Sequence, residues 1–342
     1  MSELLNVPAA RREAIARLAA ELRPGMTVAL CTHINADGDG CGSQTAFARL
    51  LGQMGIRAVI VNPTPWPELF RWLLGDDVVD RSAEGAKALT HVDRAIVLDI
   101  SDLGRLGNLA DAVRAMPQDA LVIDHHLPGT EPPGKIMLSD TAACATAELV
   151  YDFAKDRGLS ITPSIAKSLY TSLVTDTGGF RFGNTSPRCL AVAADLLTAG
   201  VDPEQMYQRI YGSVPLGRLH LLRDALDTLE TDMAHGIAWL RIAAGALEKH
   251  NVLPEDLDGI SEYPRSIAGI RLAVMFRDLG HGKVKVSFRS LAGVNVNTLA
   301  RSFGGGGHAR ASGALLSGGP AAVEAQVLGE ARRLLETGAL AD

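Results

Sequence analysis

The segment CTHINADGDGCGS, at residues 31–43, constrains the fold of this chain more than any other feature. Its first two residues end the stretch TVALCT at 27–32, a short apolar run that is typical of a buried strand. It runs into QTAFARLLG at 44–52, where apolar residues recur at helical spacing. The sequence therefore predicts a strand, a glycine-rich turn and a helix in direct succession.

The predicted turn carries side chains that bind metal ions. His33 lies four residues before Asp37, and Asp39 follows two residues later. Two carboxylates and an imidazole make a compact nitrogen and oxygen ligand set for a divalent cation. The glycines at 38, 40 and 42 allow tight bending and close approach of a ligand. A solvated Asp-Gly turn is the alternative, and this segment by itself leaves both interpretations open.

Composition narrows the class of protein. The 342 residues suffice for two domains, and 47% hydrophobic with 21% charged residues indicate a globular chain. The four cysteines occur singly, which argues against a zinc knuckle and fits the reducing cytoplasm. A formal net charge of -6 without a basic run disfavours a groove for long nucleic acid. No apolar run reaches membrane-spanning length, and the charged N-terminal helix predicted at 7–22 does not resemble a signal peptide.

Further strands are predicted at 57–61, 95–98 and 120–123, with helical segments between them. This alternation predicts an α/β fold with a doubly wound, mostly parallel sheet, in which ligands bind beyond the carboxyl ends of the strands. Asp99 follows one of these strands, and the triplet at 124–126 follows another. Asp176 follows a helix predicted at 163–174 and enters another glycine-rich turn. These positions reinforce the metal-site interpretation.

After about residue 229 the predicted secondary structure changes, and strands follow a mainly helical stretch. Strands are predicted at 237–242, 270–276 and 283–289, and helices at 297–302 and 321–335, with GGGGHARASG at 304–313 between these helices. Earlier helices are predicted at 142–157 and within 188–229. We therefore expect a catalytic domain over 1–190, a helical connector over 191–229 and a smaller α+β domain over 230–342.

Four motifs occur in succession along the chain. They are the HxxxDxD pattern that begins at His33, then Asp99, then the Asp-His-His triplet at 124–126, and finally Asp176 in TDTGGF. This series resembles the DHH phosphoesterase superfamily over nearly the whole chain. The later GGGGHARASG resembles the element that marks the subgroup with a DHH-associated C-terminal domain. Length and layout are similar to the bacterial oligoribonuclease and pAp phosphatase (nanoRNase) type. One departure is Ala36, where the family often has proline, and it removes no ligand.

The resemblance implies a role for each residue and an active-site cleft between the two domains. One metal ion would be held by His33 and Asp37 and the other by Asp39, His125 and Asp176, with Asp99 bridging them. Oxygen and nitrogen ligands without a thiolate suit two Mn²⁺ ions, with Mg²⁺ as the next choice. Asp99, Asp124 and His126 would be catalytic, with Asp124 orienting His125 or His126. His126 would donate to the scissile phosphate or to the leaving oxygen.

The expected substrate contacts lie mainly in the second domain. Exposed backbone N–H groups of a glycine run can bind a phosphate. The candidate substrate-binding residues are Arg105, Arg289, Gly305, Gly306, Gly307, His308 and Arg310. A surface salt bridge is an equal alternative for Arg105, and a linker is the alternative for an isolated glycine run. Ser43 is expected to be a cap or packing residue.

The resemblance implies a cytoplasmic phosphoesterase that converts very short oligonucleotides, linear dinucleotides included, to nucleoside 5′-monophosphates, and pAp to AMP. We expect no long duplex and no membrane as a partner, and a homodimer is compatible with the sequence. Three alternatives remain. A RecJ-like exonuclease would need a basic channel, and an inorganic pyrophosphatase has a different C-terminal element. A non-catalytic nucleotide-sensing module would not need all six ligands.

Overall fold

A computed structural model describes residues 3–257, 259–291, 293–307 and 309–341. The chain divides into two compact units, Met1–Gly212 and Ser213–Asp342. Each unit contains a six-stranded sheet. The predicted α/β class, with a doubly wound parallel sheet followed by a smaller domain, is confirmed.

The sheet of the first unit is entirely parallel. Its strands are β1 (Thr27–Cys31), β2 (Arg57–Ile60), β3 (Val79–Asp80), β4 (Arg94–Leu98), β5 (Leu121–Asp124) and β6 (Ile136–Ser139). They lie in the order β3-β2-β1-β4-β5-β6. The order reverses between β1 and β4, and in such sheets ligands bind in the crevice at this point.

Helices cover both faces of this sheet because its central strands consist mostly of buried apolar residues. Every residue of β4 and β5 is buried. The side chains of β4 divide between two core clusters, with Ile96 and Leu98 in one and Ala95 and Val97 in the other. The helices are α1 (Ala9–Ala20), α2 (Gly38–Gln53), α3 (Ala110–Arg114), α4 (Thr146–Asp156), α5 (Pro163–Asp176), α6 (Pro187–Thr198) and α7 (Pro203–Ile210). Short 3₁₀ segments fill several of the connections.

Helices α2 and α5 approach closely because α2 begins with small residues. A Cβ atom at Gly42 would lie 2.4 Å from the carbonyl oxygen of Ser168, so only glycine fits this contact. Asp37 caps α2 by accepting hydrogen bonds from the backbone N–H groups of Asp39 and Gly40. The glycine-rich turn therefore determines where the ligand-bearing helix starts and how closely it packs.

Two sequence predictions for this unit need correction. The helix expected from Ala142 begins at Thr146, because the Asp140 carboxylate accepts a hydrogen bond from Ala142 N–H and stabilises a turn instead. The strands β3 and β6 were not predicted at all. Both lie at the edges of the sheet, and their short, partly exposed sequences lack the strong apolar run of a central strand.

The sheet of the second unit is mainly antiparallel. Its strands are β7 (Glu230–Asp232), β8 (Ile237–Ile242), β9 (Leu272–Asp278), β10 (Lys283–Ser290), β11 (Gly306–Gly307) and β12 (Ala311–Ser317), in the order β11-β12-β10-β9-β8-β7. The β8 and β9 strands pair in parallel. The helices are α8 (Leu216–Leu226), α9 (Ala246–His250), α10 (Glu262–Arg265), α11 (Val296–Ser302) and α12 (Pro320–Glu336). A separate connector over 191–229 stays a prediction.

The glycine run has a structural role that sequence reasoning missed, along with β7 and β12. A Cβ atom at Gly305 would lie 2.2 Å from the carbonyl oxygen of Gly313, and one at Gly307 would lie 2.6 Å from that of Ala311. Gly307 also has a φ of 142°, a conformation that favours glycine. The glycines therefore let this edge segment lie directly against β12. Among the described residues, no helix is long and apolar enough to cross a bilayer.

Candidate metal centre

The strands β1, β4 and β5 bring their carboxyl-terminal residues together around Asp99. Its Oδ2 atom lies 3.4 Å from Nε2 of His33, which follows β1. Its Oδ1 atom lies 3.6 Å from Nε2 of His125, which follows β5. The two oxygens of one carboxylate thus face two imidazoles on different sides.

Three overlapping groups of side chains could each hold a metal ion, with all ligand atoms of a group within 4.8 Å of one another. The first group is His33, Asp37 and Asp99; the second is Asp39, His125 and Asp176; the third is Asp99, His125 and His126. All six ligands expected from the sequence occur in these groups. Asp37 and Asp176 are more exposed than Asp39 and Asp99, which are almost fully buried.

Asp99 adopts a backbone conformation that is rare for a residue with a side chain. Its φ is 64°, and its N–H donates a 3.0 Å hydrogen bond to the carbonyl of Ile123 in β5. A left-handed conformation at a non-glycine residue costs about 1–3 kcal/mol and occurs often at functional sites. This conformation follows directly after a buried strand, at the residue whose carboxylate faces both imidazoles.

The hydrogen bonds of the histidines leave their Nε2 atoms directed at the carboxylates. Nδ1 of His33 donates to the carbonyl of Ile34 at 3.0 Å, and Nδ1 of His125 donates to that of Ala143 at 3.2 Å. Both Nε2 atoms are buried without a hydrogen-bond partner. A buried polar atom without a partner is costly, and an imidazole whose Nδ1–H is bonded to a carbonyl is the usual form of a metal ligand. The residues therefore fit a cation.

The pKa shifts of the clustered side chains also indicate a site for a cation. Burial, and then the charge of Asp39, raise the pKa of Asp99 well above its usual value. Burial, and then the charges of Asp39 and Asp37, raise the pKa of Asp176 to about 8. Burial opposes the protonation of His33, but Asp37 and Asp99 more than offset it and raise its pKa to about 10. His33, Asp99 and Asp176 would therefore retain protons near neutral pH in the absence of metal, and a divalent cation would replace them.

The residues that hold Asp39 are not among those predicted from the sequence. Its Oδ1 atom accepts hydrogen bonds from the hydroxyls of Ser172 and Ser43, the latter at 3.0 Å. Its Oδ2 atom accepts one from the backbone N–H of Thr146 at 2.8 Å. Ser43, expected to be a cap or packing residue, thus contacts a candidate ligand. Its position four residues after Asp39 on α2 was the available sequence signal, while the other two partners come from distant segments.

Asn184 similarly holds Asp176. Its Nδ2 atom lies 3.1 Å from Oδ2 of Asp176 and also donates to the carbonyl of Cys144 at 2.8 Å. Asp124 is fully buried and accepts a hydrogen bond from Nδ1 of His126. Of the two histidines that Asp124 was expected to orient, the contact is therefore with His126.

None of the remaining candidate residues that the structure describes is a member of these groups. The carbonyl of Arg105 accepts a 3.1 Å hydrogen bond from Ile34 N–H. In the second unit, Arg289 pairs with Ala311 across β10 and β12, and Arg310 donates to the carbonyl of Val294 at 2.8 Å. Gly306 and Gly307 form β11, with Gly305 directly before it. His308 lies outside the described residues.

Comparisons with known proteins agree with this site. Residues 27–173 match the DHH family, N-terminal domain, and residues 239–337 match the DHHA1 domain. The chain is 32% identical to the bifunctional oligoribonuclease and PAP phosphatase NrnA of Thermus thermophilus, with 92% of each chain covered. It is 28% identical to the NrnA of Bacillus subtilis, covering 84% of this chain and 88% of that one. A solved exopolyphosphatase-related protein from Bacteroides fragilis superposes with a TM-score of 0.87 at 25% identity, covering 95% of this chain and 98% of the other.

The fold and the clustered acidic and imidazole side chains define a metal-dependent phosphoesterase of the DHH type, a hydrolase of phosphate ester bonds. Within that class, the chain belongs to the family of the bifunctional oligoribonucleases and PAP phosphatases.

Proposed function

We propose that this protein uses two divalent cations to hydrolyse very short oligonucleotides, linear dinucleotides included, to nucleoside 5′-monophosphates, and to convert pAp to AMP. The substrates follow from the names of its relatives, which are oligoribonucleases and PAP phosphatases. The observation that carries the two-cation mechanism is the position of Asp99, whose Oδ2 faces His33 and whose Oδ1 faces His125. A carboxylate with this placement is suited to bridge two cations.

The remaining ligands would divide between the two positions. His33 and Asp37 would complete one site, and Asp39, His125 and Asp176 would complete the other. Two such cations supply charge neutralisation for the phosphoryl oxygens and lower the pKa of an attacking water. We favour Mn²⁺ over Mg²⁺ because the ligand set includes imidazole nitrogens.

His126 would donate a proton to the leaving oxygen. Asp124 accepts the Nδ1–H of His126, which fixes the orientation of the ring. Nε2 is then the atom that carries the exchangeable proton. Asp99 lies 3.5 Å from Nδ1 of the same ring, so the ring lies within reach of the candidate cation positions.

The second unit would bind the part of the substrate that does not react. Arg289, Gly305, Gly306, Gly307, His308 and Arg310 are the proposed contacts, with Arg105 as a further phosphate contact from the first unit. The exposure of Gly306 and Gly307 at a sheet edge supports this assignment, because backbone N–H groups at such an edge can bind an anion. A cytoplasmic location is supported by the four cysteines, which are all free and buried.

The decisive experiment compares substrates under one set of conditions. The purified protein is stripped of metal, reloaded with Mn²⁺, and supplied with pAp, a linear dinucleotide, a 5-mer, a 24-mer and inorganic pyrophosphate. We expect kcat/KM for pAp and the dinucleotide to exceed that for the 24-mer and for pyrophosphate by about 100-fold or more, equivalent to about 2.7 kcal/mol.

Other outcomes would select the alternatives. Preference for the 24-mer would favour a RecJ-like exonuclease, and preference for pyrophosphate would favour a pyrophosphatase. Binding of nucleotides without turnover in the presence of Mn²⁺ would favour a sensing module.

A further inference from the structure

Thr146 makes hydrogen bonds to two candidate ligands that come from different segments. Its side chain is fully buried. Its backbone N–H donates to Oδ2 of Asp39 at 2.8 Å, and its hydroxyl donates to Oδ1 of Asp99 at 3.1 Å. Asp39 and Asp99 belong to different ligand groups, the second and the first of those defined above. A single residue thus connects the two groups.

The start of α4 explains how Thr146 reaches Asp39. The N-cap residue of this helix is Ala145, which has no side chain that can accept a hydrogen bond. The Asp39 carboxylate takes that role and accepts from the N–H groups of Thr146 and Ala147, the latter at 3.3 Å. Free N–H groups and the helix dipole favour a negative charge at this end. Asp39 is therefore fixed relative to the first residue of α4, and the Thr146 hydroxyl extends that constraint to Asp99.

A different buried threonine illustrates a purely structural arrangement. Thr171, in α5, is also fully buried, and its hydroxyl donates to the carbonyl of Lys167 four residues earlier at 2.9 Å. That bond lies within one helix and reaches no candidate ligand. Thr146 instead donates from the first residue of its helix to the carboxylate of Asp99, which follows β4. Thr171 is therefore a matched control for Thr146.

We propose that Thr146 is a positioning residue that holds Asp99 at a fixed distance from Asp39 and so sets the separation of the two cations. The inference rests on the proposed two-cation function. Partners that orient metal ligands typically change metal affinity or activity by about 10–100-fold when they are removed. Thr146 acts only through Asp39 and Asp99, so its effect should appear in metal binding itself and in kcat, with little change in KM.

Three variants test this role. Thr146→Val keeps the branched shape and the backbone N–H but lacks the hydroxyl, whereas Thr146→Ser keeps the hydroxyl. Each metal-free protein is titrated with Mn²⁺ by calorimetry and then assayed at saturating Mn²⁺. We expect Thr146→Val to lose about 10–100-fold in Mn²⁺ affinity and to show a lower kcat. Thr146→Ser should restore both quantities, and Thr171→Val should match the wild type.

The outcomes separate this inference from the proposed function. If the wild type binds two Mn²⁺ ions and Thr146→Val binds them equally well, the positioning role is wrong and the two-cation function stands. If the wild type binds no Mn²⁺, both are wrong. If circular dichroism shows that Thr146→Val does not fold, Thr146→Ser tests the positioning role instead. This variant keeps the hydroxyl, so a tenfold loss of Mn²⁺ affinity would overturn the role.

Discussion

Nδ1 of His126 lies 2.8 Å from Oδ1 of Asp124, and Asp124 has no exposed surface. The neighbouring His125 has a different partner, the carbonyl of Ala143. Two adjacent histidines therefore have different environments, one bonded to a carboxylate and the other to a neutral carbonyl. A carboxylate is a stronger hydrogen-bond acceptor than a neutral carbonyl, so the two rings are held by bonds of different strength. This difference supports separate roles for the two rings.

Replacing Asp124 tests the proposed proton transfer by His126. Asp124→Asn keeps the size of the side chain but removes the negative charge, so the hydrogen bond that orients His126 becomes weaker. We expect kcat for a dinucleotide to fall by about 10²–10⁴-fold, the usual contribution of a positioned acid or base. The Mn²⁺ affinity should change little, and calorimetry measures it. An unchanged kcat would remove His126 and Asp124 from the chemistry.

Removal of metal should abolish activity and lower the melting temperature. Unpartnered Nε2 atoms of His33 and His125, together with the surrounding carboxylates, are stabilised when a cation binds the folded state only. Dialysis against a chelator, with metal analysis, should therefore give an inactive protein with a lower melting temperature. Mn²⁺ should restore activity better than Mg²⁺. Full activity in a protein shown to be free of metal would contradict the two-cation mechanism.

Asp99 should matter far more than Arg105. Asp99→Ala removes the carboxylate that faces both imidazoles, and we expect a loss of kcat of about 10⁴-fold or more. Arg105→Ala removes at most one phosphate contact, which costs about 1–3 kcal/mol, or roughly 10- to 100-fold in kcat/KM. Steady-state kinetics with a dinucleotide measures both. Equal, modest losses would show that Asp99 is not a bridging ligand.

His308 should affect only substrates that are large enough to reach its side chain. Contacts remote from the reacting phosphorus raise KM when lost, and kcat also falls if they help to position the substrate. His308→Ala should therefore impair dinucleotide hydrolysis much more than hydrolysis of bis-p-nitrophenyl phosphate.

Asp37→Ala is the control for the His308 experiment, because the loss of a candidate metal ligand should impair both substrates equally. If His308→Ala lowers both rates by the same factor in a folded, metal-loaded protein, His308 belongs to the catalytic centre. The division of chemistry and substrate binding between the two units would then be wrong.

A buried ionic cluster around Arg11, which links α1 to α4, should contribute strongly to the stability of the first unit. Arg11 is 5% exposed and pairs with Asp140, Glu148 and Asp152 at 2.7, 2.7 and 2.8 Å. Arg11→Met leaves buried carboxylates with fewer partners, which typically costs about 3–5 kcal/mol in the free energy of unfolding. Urea denaturation of the metal-free protein measures this. Its neighbour Arg12 is exposed, so Arg12→Met should change stability by no more than about 0.5 kcal/mol.

Sequence patterns predicted the central strands of the first sheet because these strands are short apolar runs between helical segments. The edge strands β3 and β6 were missed, since they are partly exposed and are held by pairing with a neighbour. The glycine run is predicted to bind substrate, which stays a prediction, and its pairing with β12 is not evident from the sequence. Pairing partners lie far apart in the chain, so local periodicity does not reveal them.

The side chains of the candidate metal centre could be predicted from the sequence. His33, Asp99 and His125 each follow a predicted parallel strand, and the carboxyl ends of such strands meet at one edge of a sheet. The groups that hold these side chains in place became evident from the packing of the helices. Thr146 and Ser172 reach Asp39 because α4 begins four residues later than predicted and because α5 packs closely on α2. Hydrogen bonds of this kind depend on where two helices start and cross, and packing of the whole unit sets both.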